Sequence, residues 1–341
     1  MNRALQPFLG CIFIDLQPYS VKVILLLMPR NTETRLIVKL ARMYYVQGLR
    51  QQDITESLGV HQSTISRLLK RARESNIVRM IVDVPRGVHS ELEEQLEAKY
   101  GLREAFVVDC PDDEEHMIRE LGAAAAFQLE TILRPKERIG ISSWSRHLLA
   151  MVDQLHPTPR AEGGLVIQML GGVGTPELQG RATQLANQLS KLIGANPVLL
   201  QAPGVTGSAK ARDLLIKEPY VHETMEYFPT LDLALVGIGA LKPSALLESS
   251  GNTFKKAELQ TLQKLGAVGD ICMRFFNEDG LEIQSPLLDR VIGIDLPTLK
   301  RVNRIVGIAG GPSKFRAIKA AITGKLINVL ITDQKTAQRL V

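Results

Sequence analysis

The sequence predicts an α/β protein in two parts, a small helical domain followed by a larger one built on a mostly parallel sheet. Two observations carry this. From about residue 104 onward, seven short apolar runs of strand length alternate with amphipathic stretches of helical length, the pattern of parallel strands covered on both faces. Ahead of them, Gln51 to Lys70 (QQDITESLGVHQSTISRLLK) carries apolar residues at helical spacing on both sides of Gly59. At 341 residues the chain is long enough for two separate cores.

Composition narrows the class. Hydrophobic residues make up 45% and charged residues 23%, the balance of a globular protein, and the net charge is +5. Cys11, Cys110 and Cys272 stand far apart without CxxC or Cys/His spacing, so free thiols in a reducing cytoplasm are expected, with no disulfide framework and no metal site. Residues 1–33 form an ill-patterned extension. Its apolar runs, FLGC at 8–11 and VKVILLLM at 21–28, are interrupted by Asp15, Gln17, Pro18 and Lys22 and are too short to span a bilayer. The working fold is expected to exclude this stretch, with a functional start at Met28, and no membrane contact is expected.

Residues 34–84 are expected to form the first domain. A helix is predicted over Thr34 to Gly48, with Leu36, Ile37, Leu40, Met43 and Tyr44 as its apolar stripe and Gly48 as its stop. Two shorter helices follow, pinned by Ile54, Leu58, Val60, Ile65 and Leu68 and separated by Gly59. This is a helix-turn-helix signature, in which the second helix turns its other face outward. Gln52, His61, Gln62, Ser63, Thr64, Ser66, Arg67, Lys70 and Arg71 are the candidate DNA-binding residues. Amides and hydroxyls suit base edges in a major groove, and Lys and Arg suit phosphates and guanine. Arg73 and Arg79 extend the positive charge, opposed only by Glu74. Ile77 to Val84 (IVRMIVDV), with Arg79 and Asp83, reads as the strand of a wing, and Pro85 to Gly87 as a hinge.

Residues 85–341 are expected to form the second domain. Ser90 to Tyr100 reads as a helix with Leu92 and Leu96 inside and Glu91, Glu93, Glu94 and Glu97 outside; it either starts a dimer coiled coil or packs on the domain that follows, and two apolar turns favour packing. Strands are predicted at Ala105 to Val108, Arg138 to Ile141, Leu165 to Met169, Pro197 to Leu200, Leu231 to Val236, Arg304 to Ile308 and Ile327 to Ile331. Helices are predicted at Met117 to Leu133, Leu178 to Leu192, Lys255 to Leu265 and Lys314 to Thr323.

In such a sheet ligands bind beyond the carboxyl ends of the strands. Five loops fall there. One holds Ser142, Ser143, Trp144, Ser145, Arg146 and His147. Another holds Gly171, Gly172, Val173 and Gly174, whose bare backbone suits an anion or a sugar. A third carries Gly237 and Gly239. The fourth, Gly266 to Asp270, presents Asp270 as an acceptor for hydroxyls. In the fifth, Gly310 and Gly311 precede Lys314, a partner for phosphate or carboxylate. Trp144 is either a core residue or a pocket wall, and Arg146 and His147 either face the pocket or belong to the surface of a helix's first turn.

Read together, SLGVHQSTISRLLKRARESNIVR, SSWSRHLLAMV, QMLGGVG, ALVGIGAL, GAVGDICMRFFNEDG and IAGGPSKFRAIKAAITGKLINVLITD resemble the SorC family of sugar-responsive bacterial transcription regulators, over residues 34–341. The resemblance implies an N-terminal winged helix-turn-helix and a C-terminal Rossmann-like α/β effector domain, related to ribose-5-phosphate isomerase and glucosamine-6-phosphate deaminase. It implies double-stranded operator DNA and a sugar, polyol or sugar-phosphate effector as partners, and a homodimer or homotetramer. Ser145, Arg146 and His147 then fall in the loop that touches effector, Gly172 to Gly174 in a second such loop, Asp270 at the acidic sugar-binding position and Lys314 at the lysine after the paired glycines. Two features depart from the family. The first loop often ends in Thr, where this chain has Arg146 and His147, and Val173 stands where some sugar-phosphate binders have Arg. Arg146 is the candidate replacement cation. The competing function is a sugar-phosphate isomerase or deaminase with a DNA-binding appendage, for which Asp270 is the one general base in sight and lacks a paired acid. The expectation is therefore a regulator with no catalytic residues and no cofactor.

Overall fold

A computed structural model describes residues 30–78, 87–175 and 179–341. The chain divides into two compact units, Met1–Asp83 and Val84–Val341. The expected start at Met28 lies outside the described residues, as does most of the wing strand and hinge expected over 77–87, including Arg79 and Asp83.

The first unit packs three helices, α1 (Arg30–Ala41), α2 (Gln51–Leu58) and α3 (Gln62–Glu74), around one core. Ile37, Leu40, Met43, Ile54, Ile65, Leu68, Leu69 and Ala72 are buried in it. Beyond Ala41 the first helix widens into a π-helical turn, Arg42–Val46. Across that wider turn Tyr44, expected in the stripe, is exposed, while Met43 is buried and Tyr45 packs against the core. Gly59, at φ +64°, ends α2 in the left-handed conformation that a Cβ disfavours, and its N–H bonds the Thr55 carbonyl.

The second unit opens with α4 (Ser90–Tyr100) and β1 (Glu104–Val108). The acidic residues of α4 are not all solvated as expected. Glu97 accepts a hydrogen bond from the Ala105 N–H and Glu93 from the Val107 N–H, each at 2.9 Å. They satisfy the outer edge of β1, which is the first strand of its sheet, and this docks α4 on the sheet.

The chain continues through α5 (Glu114–Ile132), β2 (Arg138–Ile141), α6 (Arg146–Gln154), β3 (Leu165–Gln168), α7 (Gln179–Ile193) and β4 (Asn196–Val198). After α8 (Ala209–Leu215) and α9 (Pro219–Glu226) come β5 (Leu233–Gly237), β6 (Gly239–Ala240), α10 (Ala245–Ser249) and α11 (Lys256–Lys264). The hairpin of β7 (Gly269–Ile271) and β8 (Arg274–Phe276) precedes α12 (Leu296–Leu299), β9 (Arg304–Ile308), α13 (Phe315–Thr323), β10 (Val329–Asp333) and α14 (Gln334–Leu340).

Seven strands form one parallel sheet in the order β1-β10-β9-β5-β2-β3-β4. They are the seven apolar runs of the sequence. Successive side chains alternate between two cores: Leu233 and Leu235 of β5 join one with Leu121, Leu148 and Leu185, while Ala234 and Val236 join the other with Ile318 and Ala321. From β2 the chain runs outward through β3 to β4 and then returns to place β5 on the other side of β2. The β2/β5 boundary is thus the switch point, where a crevice opens beyond the strand ends.

One feature departs from expectation. Asp270 is not on a loop but on β7, the centre of a second, three-stranded antiparallel sheet, β6-β7-β8, in which it pairs with Gly239 and Phe275.

Candidate functional site

The first unit presents its outward residues on α3. Gln62, Ser63, Ser66, Arg67, Lys70 and Arg71 are exposed, and so are Gln52 on α2 and His61 in the turn. Thr64 corrects the expectation: it is 7% exposed and lies on the buried side of α3 next to Ile65, one turn from Leu68. His61 also has a structural task, because its ring accepts from the Ser63 N–H and so caps α3. Arg71 pairs with Glu33 at 2.5 Å, and Lys70 lies 3.8 Å from Glu74.

The second unit holds a cavity of about 850 Å³ at the switch point, within the size range of small-molecule sites. Trp144, Ser145, Arg146 and His147 after β2, Gly237 and Gly239 around the end of β5, Asp270 on β7 and Lys314 after β9 all line it. Sequence-distant candidates thus converge on one space.

Local chemistry sets each of them. Ser145 caps α6 through its Oγ, which accepts from the Leu148 N–H, and the bare Cα of Gly237 gives that side chain its room. The Arg146 guanidinium pairs with Glu114 on the first turn of α5 at 3.0 Å. His147 is 4% exposed, and its buried Nε2 has no hydrogen-bond partner among the described residues. Burial, with Lys314 and Arg146 adding to it, holds its imidazole neutral, well below the usual histidine range. Trp144 is both wall and packing: it is 6% exposed, lines the cavity and donates its Nε1–H to the Gly171 carbonyl at 3.1 Å.

Asp270 and Lys314 form the polar centre. Burial pushes the Asp270 carboxyl up to about 6, partly offset by the Met273 N–H, which donates to its Oδ2 at 3.1 Å, and by the Lys314 charge. Burial pulls Lys314 down to about 8 against the attraction of Asp270 and Glu114, with Arg146 reinforcing the fall. Between these values one site holds a carboxylate and an ammonium, an arrangement that accepts from hydroxyls and attracts an anionic group. Gly239 is required beside them, because a Cβ there would collide with Asp270 Oδ1.

Other candidates lie behind the wall instead of on it. Ser143 is buried and donates its hydroxyl to the Leu170 carbonyl at 2.6 Å. The Gly171, Gly172 and Val173 amides donate to the carbonyls of Ile292, Leu200 and Ala202, so they offer no cradle for an anion, and Gly174 packs on the Trp144 ring. Similarly, Gly311 donates its N–H to Asp333 Oδ2 at 2.7 Å, and a Cβ on Gly310 would meet the same carboxylate. These glycines let loops pack closely behind the residues that face the cavity.

The sequence reading missed Glu114, Lys242, Glu248, Cys272 and Met273, all of which line the cavity. For Glu114 a signal existed: Asp113 caps α5, and Glu114 and Glu115 are the acids expected in a first turn, so the helix starts three residues before Met117.

Comparison with known proteins agrees with this architecture. Residues 87–341 match the Sugar-bind family of sugar-binding domains. The chain is 30% identical over 316 residues to the sorbitol operon regulator of Klebsiella pneumoniae, covering 92% of this chain and 99% of that one. It is 32% identical over 308 residues to the deoxyribonucleoside regulator of Bacillus subtilis strain 168, covering 90% and 97%. The crystal structure of the full-length sorbitol operon regulator from Klebsiella pneumoniae superposes with a TM-score of 0.68 at 30% identity, over 90% of this chain and 98% of that one. These relatives are named as regulators, not enzymes. The parallel sheet with its strand-end cavity and the match along nearly the whole length of these regulators make the chain a member of the SorC/DeoR-like family of transcriptional regulators with a sugar-binding domain.

Proposed function

We propose that the chain is a DNA-binding transcriptional regulator of a carbohydrate or polyol operon, controlled by a sugar, polyol or sugar phosphate bound in the strand-end cavity. The observation that carries this is the meeting of Asp270, Lys314 and Arg146 in one cavity at the switch point of the sheet. The carboxylate suits ligand hydroxyls, and the two cations favour a phosphorylated ligand over a neutral one. In the first unit, α2 and α3 act as the helix-turn-helix of a winged domain, with Arg67 and its exposed neighbours at base edges and phosphates of double-stranded operator DNA. Control is by linkage: the effector binds one arrangement of a homodimer or homotetramer better, and DNA affinity changes by the same differential free energy. Pairing of two reading heads on a palindromic site supplies the avidity that one short helix lacks. The work is cytoplasmic, where operator DNA is. Among the described residues no helix is long and apolar enough to cross a membrane.

A thermal-shift screen of the purified chain against pentoses, hexoses, polyols and their monophosphates tests the reading, because a ligand of the native state raises the melting temperature by mass action. A stabilising compound whose effect is lost in Lys314→Ala supports the site. Stabilisation that survives in Lys314→Ala removes Lys314 from it.

A further inference from the structure

Five described non-glycine residues have positive φ, namely Asn76, Lys136, Cys272, Met273 and Lys325. Only Cys272 and Met273 adjoin, and only they line the cavity. They are the two central residues of the tight turn between β7 and β8, closed by the Ile271–Arg274 pair, with φ of +52° and +61°. Such a turn requires left-handed backbone at both positions, which Asn-Gly supplies with little strain and a bulky side chain does not. A strained pair at a ligand cavity, in a turn where glycine would be free of strain, implies that the side chain has a use there.

The use follows from what surrounds it. Met273 is 4% exposed and lines the cavity, and its N–H donates to Asp270 Oδ2, so the residue is tied to the carboxylate that faces the cavity. Val268 and Cys272, close to Met273 in the chain, line the same cavity. The Cys272 thiol is buried, is held protonated by that burial, and is bonded by the Ser142 hydroxyl. Val268, Cys272 and Met273 therefore bring to the lining two apolar side chains and a thiol that already has a partner. A hydroxyl placed against them would give up water and receive nothing.

We propose that Met273 sets the chain length of ligand that the cavity accepts, acting as an apolar stop beside Asp270, against which a sugar or sugar phosphate must end without a further hydroxylated carbon. This rests on the reading of the cavity as the effector site. Met273 is a specificity-determining residue, and the strained turn is what directs its side chain into the wall.

The test uses the full chain, Met273→Ala and Met273→Gly, titrated with the triose, tetrose, pentose and hexose monophosphates. In the wild-type chain one length binds best. Both variants shift the optimum toward the next longer homologue, and discrimination against that homologue falls roughly tenfold or more, the scale on which a packed wall rejects one extra carbon. An unchanged optimum in both variants overturns the role of Met273 while leaving the effector site intact. Binding of no member to any of the three proteins overturns the reading of the cavity as a sugar-phosphate site and, with it, the role of Met273 there. A second readout isolates the strain. Both variants lose the side chain, but only glycine relieves the backbone, so Met273→Gly melts above Met273→Ala by about 2 °C or more, against the usual order of these residues. Equal or reversed melting temperatures overturn the strain argument.

Discussion

Asp270→Asn makes the fold more stable and the effector weaker, and the size of the first effect follows from the site. The carboxyl is 6% exposed and titrates at about 6 instead of its ordinary 3.8. Ionising it in the folded chain at neutral pH therefore costs about 3 kcal/mol more than ionising it in the unfolded chain. Because the folded-state value is raised, the folded chain holds its proton longer. The wild-type chain is penalised least below pH 3.8, loses stability as pH rises toward 6, and carries the full penalty above that. An asparagine keeps an oxygen for the Met273 N–H and carries no charge to desolvate. The variant should exceed the wild type by about 3 kcal/mol at pH 7.5, roughly 6–12 °C in melting temperature for a unit of this size. The difference should shrink below pH 6 and vanish near pH 3.5. Trp144, the one tryptophan of the chain, lies in this unit and reports its unfolding by fluorescence. A variant no more stable than the wild type, or a gain that does not change with pH, would refute the argument that Asp270 is an ionised group held at a cost for ligand binding.

Three further outcomes follow, two from groups around Asp270 and one from the far end of the sheet. Affinity for an anionic sugar ligand should be bell-shaped in pH, falling below about 6 as Asp270 takes a proton and above about 8 as Lys314 loses one; calorimetric titration from pH 5 to 9.5 that shows a monotonic trend would contradict this. Gly239→Ala drives a Cβ into Asp270 Oδ1 and should cost about tenfold or more in effector affinity and about 1–3 kcal/mol in stability, both measurable on the same sample. Glu137→Ala strands the buried Arg304 guanidinium at the start of β9, at the opposite end of the sheet from the cavity. It should destabilise by about 3–5 kcal/mol in denaturant without changing effector affinity at temperatures where the protein stays folded.

Much of this was legible in the sequence because the strands are apolar on both faces, so each of the seven runs stands out against its polar flanks. The helix pair was legible because Gly59 marks its turn, and the convergence of Ser145, Arg146 and Lys314 because strand ends in a parallel sheet share one side. Three kinds of information were not. The faces of α3 are separated by a single residue, so Thr64 reads as outward until the packing of Ile65 and Leu68 turns it in. Glycine-rich loops carry the same signature whether their amides meet a ligand or another loop; Gly171 to Val173 and Gly311 meet other loops, and the carbonyls and carboxylate they bond lie far away in sequence. Short antiparallel strands such as Gly239–Ala240 and Gly269–Ile271 have too few residues for alternation to show, so Asp270 reads as a loop residue although it sits on a strand. Met273 escaped for a related reason: nothing local announces a left-handed methionine.

The central claim is that ligand in the cavity controls what the helix pair does on DNA, and one measurement tests it most directly. Double-stranded DNA enriched from a random pool by the protein itself is titrated with the wild-type chain, Lys314→Ala and Arg67→Ala, each with and without the compound found by thermal shift. The account predicts that the compound shifts wild-type DNA affinity about 5- to 150-fold, that Lys314→Ala binds the DNA normally but ignores the compound, and that Arg67→Ala loses about 1–3 kcal/mol of specific binding. A compound that binds the cavity of the wild-type chain yet leaves its DNA affinity unchanged would contradict it.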